Sequence, residues 1–302
     1  MRTVDTDVLR IAYDDHGPVD GPAVILLHGF PYDIRAFDAV VPVLTAAGCR
    51  VIVPFLRGYG PTRFLSDDTP RSGQQAALGA DLLALMDALR IPSAILAGYD
   101  WGGRAACIVA ALWPVRAAGL VSVTGYNIQN IAAANRPAAP ERERRYWYQY
   151  YLHGERGRAG LTANRGTFCR LLWALWSPIW AFDDATWAGT APSFDNPDFV
   201  DVVVQSYRHR FGLALGDPVL EPIEQRLAAL PPITVPTIVL HGGDDGVAPP
   251  ETSDGEEHRF TGPYRRVVVP GAGHNLPQEA PGPFAQAVLD LLSPRSPDTP
   301  GR

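Results

Sequence analysis

Asp100 lies in Gly98-Tyr99-Asp100-Trp101-Gly102, between an apolar run at Ala94–Ala97 and a helical pattern carried by Ala106, Val109 and Leu112. Small residues two positions either side of a central residue let a strand turn sharply into a helix. That is a nucleophile elbow, here with aspartate at its tip. An ionised carboxylate needs no base to become a nucleophile at neutral pH. It can attack a saturated carbon in line and form an alkyl ester. A histidine oriented by a second acid can then activate water against that ester. Both partners are present: Asp245 closes His241-Gly-Gly-Asp-Asp245, and His274 closes Gly271-Ala-Gly-His274. Asp244 competes with Asp245 for the acid role and reads better as a loop-turn residue. The backbone N–H groups of Trp101 and Phe30 are the expected oxyanion donors. N–H groups at the start of the helix after the elbow favour developing negative charge.

These residues need strands to carry them. Pro22–Leu27, Arg50–Pro54, Ala94–Ala97, Gly119–Val123, Thr237–His241 and Arg266–Val269 read as buried strands, with an edge strand at Val8–Tyr13. Helical patterns fall between them, around Phe37–Ala47, from Ser72 over Ala76 to Leu89, and at Phe284–Leu292. Such alternation specifies a parallel α/β sheet flanked by helices. The residues from about Asn127 to Pro232 break the rhythm, with helical patterns and no strand. They hold five of the seven tryptophans: Trp147, Trp173, Trp176, Trp180 and Trp187. The reading is therefore a core of residues 1–126 and 233–292, a helical cap at 127–232 inserted after the sixth strand, and a disordered tail at 293–302. Aromatics in the cap are expected to make the space beneath it apolar.

Composition narrows the chemistry. All 26 basic residues are arginine, so Schiff-base and lysine-nucleophile chemistry are excluded. The formal charge of −6 argues against nucleic acid or an acidic membrane surface as partner. Cys49, Cys107 and Cys169 are too few and too scattered for a disulfide framework or a zinc site. The polar N-terminus and the lack of a long apolar run make a cytoplasmic protein the expectation.

The chain resembles the α/β-hydrolase superfamily over about residues 8 to 292, and within it the epoxide hydrolase and dehalogenase branch. The carriers are His28-Gly-Phe-Pro31, Gly98-Tyr-Asp-Trp-Gly-Gly103, Gly242-Gly-Asp-Asp245 and Gly273-His274. The resemblance implies an α/β-hydrolase fold with the order nucleophile, acid, histidine. It favours Asp245, through the spacing Gly242-x-x-Asp245, and gives His28-Gly-Phe-Pro31 the shaping of the oxyanion hole, often with a cis bond before the proline. Epoxide hydrolases of this fold use two cap tyrosines that hydrogen-bond the ring oxygen. The matching positions are Tyr148, in Tyr148-Gln149, and Tyr207, in Tyr207-Arg208. Haloalkane dehalogenases pair a tryptophan after the nucleophile with an asparagine after His-Gly; Trp101 fits and Phe30 does not. Haloacetate dehalogenases place arginines one and four residues after the nucleophile, and only Arg104 matches. Arg104 reads equally as half of an ion pair on its own helix.

The function expected from this reading is epoxide hydrolysis on Asp100, His274 and Asp245, with Tyr148 and Tyr207 activating the oxygen. A dehalogenase with the same three residues is the alternative, and a non-catalytic small-molecule receptor a further one. His28, Pro31, Gln149, Trp147 and Arg104 are expected to bind or enclose the substrate. No cofactor or metal is called for. The expected partners are water and a small apolar organic molecule, with homodimerisation left open.

Overall fold

The computed structural model describes residues 1–292, so the tail expected to be disordered lies outside the described residues. Nine strands form one sheet: β1 Arg2–Asp5, β2 Leu9–His16, β3 Ala23–Leu27, β4 Arg50–Pro54, β5 Arg63–Phe64, β6 Ala94–Gly98, β7 Ala117–Val123, β8 Thr237–Gly242 and β9 Tyr264–Val269. Their order is β1-β2-β4-β3-β6-β7-β8-β9, with β5 beside β2. From β4 to β9 every neighbouring pair is parallel, and β1, β2 and β5 add an antiparallel edge. The central strands are continuous apolar runs because helices cover both faces. Ala94 to Gly98 of β6 are all buried.

Helix α1 is Val41–Ala46, α2 Gln75–Ala88 and α3 Asp100–Leu112; α3 packs on α2, β6 and β7. The helix expected around Phe37–Ala47 is split. Asp33 caps a single 3₁₀ turn at Ile34–Phe37, and α1 starts four residues later with Pro42 in its first turn. Ser72 does not cap α2. Gln74 occupies that position, and the Ser72 hydroxyl bonds back to Gln74.

Seven helices follow β7: α4 Pro140–Arg145, α5 Trp147–Tyr151, α6 Glu155–Ala163, α7 Arg165–Trp176, α8 Asp184–Thr190, α9 Phe199–Arg210 and α10 Glu221–Ala228. The insertion thus follows the seventh strand in chain order. It would be the sixth without the two-residue β5, whose pairing with β2 no sequence pattern announces. The insert is bound tightly to the sheet domain. Trp173 Nε1 donates to the Pro31 carbonyl at 2.7 Å, Arg71 pairs with Asp198 at 2.9 Å, and Asn196 Nδ2 donates to the Thr62 carbonyl at 2.7 Å. Helices α11 Leu276–Glu279 and α12 Pro281–Leu292 close the domain behind β9. The three cysteines are buried and unpaired. Among the described residues no helix is long and apolar enough to cross a membrane.

Candidate active site

The turn from β6 into α3 places Asp100 at φ +49°, the left-handed region that few side chains adopt. Such strain costs on the order of 1–3 kcal/mol and persists only where the surroundings enforce it. Here they do. A methyl group on Gly102 would lie 2.1 Å from the Leu27 carbonyl, so α3 can press against β3 only with glycine there. A methyl group on Gly29 would lie 2.5 Å from Asp100 Cβ. Glycine at 29 therefore lets the loop after β3 reach the nucleophile. The Phe30 N–H donates to Asp100 Oδ1 at 2.7 Å, and Phe30-Pro31 is cis. The Trp101 N–H, among the first of α3, has no intrahelical acceptor.

His274 follows β9 and stands between two carboxylates. Its Nδ1 donates to Asp245 Oδ2 at 2.7 Å, and its Nε2 is 3.7 Å from Asp100 Oδ2. Asp245, in the loop after β8, accepts the Val247 and Ala248 N–H groups on its other oxygen, at 2.9 and 2.8 Å. The neighbouring Asp244 instead accepts from Gly271 N at 3.0 Å and braces the loop that carries the histidine. Burial alone would strip His274 of its proton. The charge of Asp245, and then that of Asp100, reverse this and push it up to about 10. Burial likewise works against ionisation of Asp100. His274, Arg104 and the Phe30 N–H outweigh it and hold the carboxyl below its usual value. The resting site is an imidazolium between two carboxylates.

Above it, Tyr148 of α5 and Tyr207 of α9 meet edge to face at 5.3 Å, and both rings contact Phe30. Burial, aided by the charge of Asp100, raises both phenols well above their usual range, so both are neutral donors. Tyr148 lines a cavity of about 580 Å³ together with Asp100, His274, Arg104, Gln149 and Arg210. Tyr207 packs against Tyr148, Phe30 and Trp101.

Several residues expected to bind substrate do other work. His28 accepts from Leu56 N at 3.1 Å through Nε2, and its Nδ1 lies 3.0 Å from the Gly29 carbonyl. Burial lowers its pKa to about 4, so it is a neutral brace beneath the loop. Pro31 turns its carbonyl to Trp173 of the cap. Trp147 packs on Tyr151 and Phe168 and lines a separate cleft of about 710 Å³ that contains neither Asp100 nor His274. Gln149 reaches the cavity, yet its Nε2 donates to the Tyr148 hydroxyl at 2.9 Å and its Oε1 accepts from Arg210 at 3.0 Å. Arg104 reaches the cavity and is in no ion pair among the described residues. The cavity wall is also more charged than the cap's composition suggests, because Trp173, Trp180, Phe182 and Trp187 pack on one another instead of lining it.

Three supporting residues had no signal in the sequence. Glu279 brackets the histidine: it accepts from Gly273 N at 2.7 Å, Asn275 N at 3.0 Å and Ser177 Oγ at 2.5 Å. Asp33 joins the loop after β3 to the helical insert, accepting from Thr190 Oγ1 at 3.0 Å and Ser193 Oγ at 2.5 Å. Arg210 comes from the far end of α9. Among the described residues no group of three or more His, Cys, Asp or Glu side chains converges as metal ligands would.

An elbow nucleophile after β6, an acid after β8 and a histidine after β9 define the α/β-hydrolase class, and the profile of the alpha/beta hydrolase fold matches residues 22–281. The chain belongs to that family. Within it the chain groups with the epoxide hydrolase-like enzymes. A solved Klebsiella pneumoniae structure described as a "putative epoxide hydrolase" is 50% identical, with a TM-score of 0.94 over 96% of both chains. Epoxide hydrolase A of Mycobacterium tuberculosis is 26% identical over 97% of both chains. A haloalkane dehalogenase of Mycobacterium marinum is 35% identical over 42% of each chain.

Proposed function

We propose that this hydrolase opens epoxides through an ester on Asp100. One observation carries the reading: Tyr148, a neutral phenol with Tyr207 packed edge-on against its ring, lines the same cavity as Asp100, whose other neighbour is a histidine–aspartate pair. Asp100 attacks a ring carbon and the carbon–oxygen bond breaks. The oxygen takes a proton from Tyr148 or Tyr207 and becomes a hydroxyl. With the charge of Asp100 gone, His274 gives up its Nε2 proton, which restores the tyrosinate to a phenol; the neutral Nε2 then takes a proton from water, and the hydroxide adds to the ester carbonyl of Asp100. The Phe30 and Trp101 N–H groups hold the oxyanion. Its collapse breaks the ester bond, releases a diol and restores the carboxylate. The names of the relatives support this substrate class.

The second reading, halide displacement, is favoured by one feature. The indole Nε1–H of Trp101 is buried without a partner, a donor that a departing halide would need. Phe30 supplies no second donor. His274→Gln tests both readings, because attack requires only the carboxylate and hydrolysis requires the base. With an epoxide, intact-protein mass spectrometry should find an adduct of the full substrate mass. A halide substrate would leave an adduct lighter by one hydrogen halide. An unmodified variant that still consumes epoxide at the wild-type rate would overturn the mechanism.

A further inference from the structure

We infer, resting on the epoxide opening proposed above, that Arg210 of α9 and Gln149 of α5 aim the proton of Tyr148 at the substrate oxygen. Both are positioning residues that act through the phenol.

The directions of the hydrogen bonds decide this. A guanidinium has five N–H donors and no acceptor. Arg210 Nη1 lies 3.0 Å from Gln149 Oε1, so the amide oxygen must face the arginine. The amide nitrogen is thereby turned to the Tyr148 hydroxyl, 2.9 Å away, and donates to it. With the amide reversed, its oxygen would accept the phenol proton and hold it away from a substrate. As the amide stands, the hydroxyl is the acceptor of this bond, and among the described residues its own proton is donated to no protein group. Tyr148, Gln149 and Arg210 line the same cavity as Asp100, so that proton is free to meet a ring oxygen there.

Arg210 is held in place without being neutralised. Its Nε donates at 2.5 Å, and its Nη2 donates as well, to the Gln129 amide oxygen in the orientation that satisfies that amide. The Gln129 main chain is fixed to α2 in turn, its N–H donating to Gln75 Oε1 at 2.8 Å. Both partners of Arg210 are neutral oxygens, and among the described residues it is in no ion pair. Arg57, by contrast, is paired with Asp81 at 2.6 Å. The charge of Arg210 is therefore left to act on the tyrosines. It lies one helical turn beyond Tyr207 and over that ring, 5.2 Å from its centre. Burial raises the Tyr148 phenol; the charge of Arg210, more than the Gln149 hydrogen bond, pulls it back. When the ring carbon–oxygen bond breaks, its electron pair goes to the oxygen, the Tyr148 proton follows, and a tyrosinate remains. The Gln149 N–H is already in place to hold that charge, and its bond strengthens as the charge develops.

The test is made in the His274→Gln background, where styrene oxide should leave an adduct whose growth, read by intact mass at saturating epoxide, is the rate of alkylation. Gln149→Met removes the N–H that holds the tyrosinate and should slow alkylation about 10-fold or more, the loss of one charge-assisted hydrogen bond. Arg210→Met frees the amide to reverse and should lose at least as much, while Arg210→Lys keeps a charged donor and should recover most of the rate. Added to Tyr148→Phe, neither Gln149→Met nor Arg210→Met should cost anything further, because no phenol is left to aim. A residue that merely holds the fold would cost the same with tyrosine or phenylalanine at 148. Should one of the two methionine variants fail to fold, the other gives the same cycle. Losses that add to that of Tyr148→Phe, or an Arg210→Met that alkylates at the parent rate, overturn the aiming role while epoxide opening stands. A parent that forms no adduct with styrene oxide or 1,2-epoxyhexane removes the epoxide reading, and the aiming role with it.

Discussion

Alkylation of Asp100 should itself create the base that the second step requires. In the resting protein His274 is held up to about 10 by Asp245 at 2.7 Å and Asp100 at 3.7 Å, so at neutral pH it carries a proton on both nitrogens. An imidazolium cannot accept a proton from water. Esterification removes the charge of Asp100. At 3.7 Å and an effective dielectric of about 20, that charge is worth about 4.5 kcal/mol, or roughly three pH units. The pKa of His274 should therefore fall to about 7 in the alkyl-enzyme. A pH jump after single-turnover alkylation, with quenched samples read by intact mass, gives the decay of the ester directly. Its rate should climb through about pH 7 and level off above it, while histidine NMR shows the free protein keeping the His274 proton to about pH 9 or beyond. Decay that is flat from about pH 6 to about pH 9, or a free His274 that titrates near its ordinary value of about 6.5, would refute the reasoning.

Three further outcomes follow from the geometry. Tyr148→Phe and Tyr207→Phe should each slow single-turnover alkylation by an epoxide, and the double variant should lose on the order of 10²-fold or more, since one hydroxyl partly covers for the other; a double variant that alkylates at the wild-type rate removes both tyrosines from the reaction. Burial raises Asp33 to about 6, against the hydrogen bonds from Ser193, Arg35 N and Thr190. Its folded pKa lies above the unfolded one, so its contribution to stability is present below about pH 4 and lost as pH rises through about 6. Asp33→Asn lacks that loss, and its melting temperature relative to wild type should rise across this window; an unchanged difference would show that Asp33 does not titrate there. Gly102→Ala drives a methyl group into the Leu27 carbonyl, at 2.1 Å, and should cost about 3 kcal/mol or more, roughly 5–10 °C in melting temperature. A variant that melts with the wild type would mean that the elbow can relax.

The parts of the site that could be read from the sequence are those that short-range pattern dictates. The elbow needs glycine at 98 and 102 within one turn. Asp245 and His274 each follow a strand in a glycine-marked loop, so their order along the chain already implies a shared sheet edge. Residue type without direction misleads: His28 sits in a telling motif, yet its ring is turned beneath the loop, where Leu56 N fixes it. Contacts made by folding the cap left no trace in the sequence. Arg104 and Arg210 are far apart in the chain and meet at Gln129 only because the insert brings Tyr207 of α9 against Trp101 of α3. Asp33 finds Thr190 and Ser193, and Glu279 finds Ser177, in the same way. Of the antiparallel edge, β2 was legible as the strand at Val8–Tyr13, and β1 was missed for a different reason: it is short and largely exposed, so it lacks the apolar run that marks its buried neighbours.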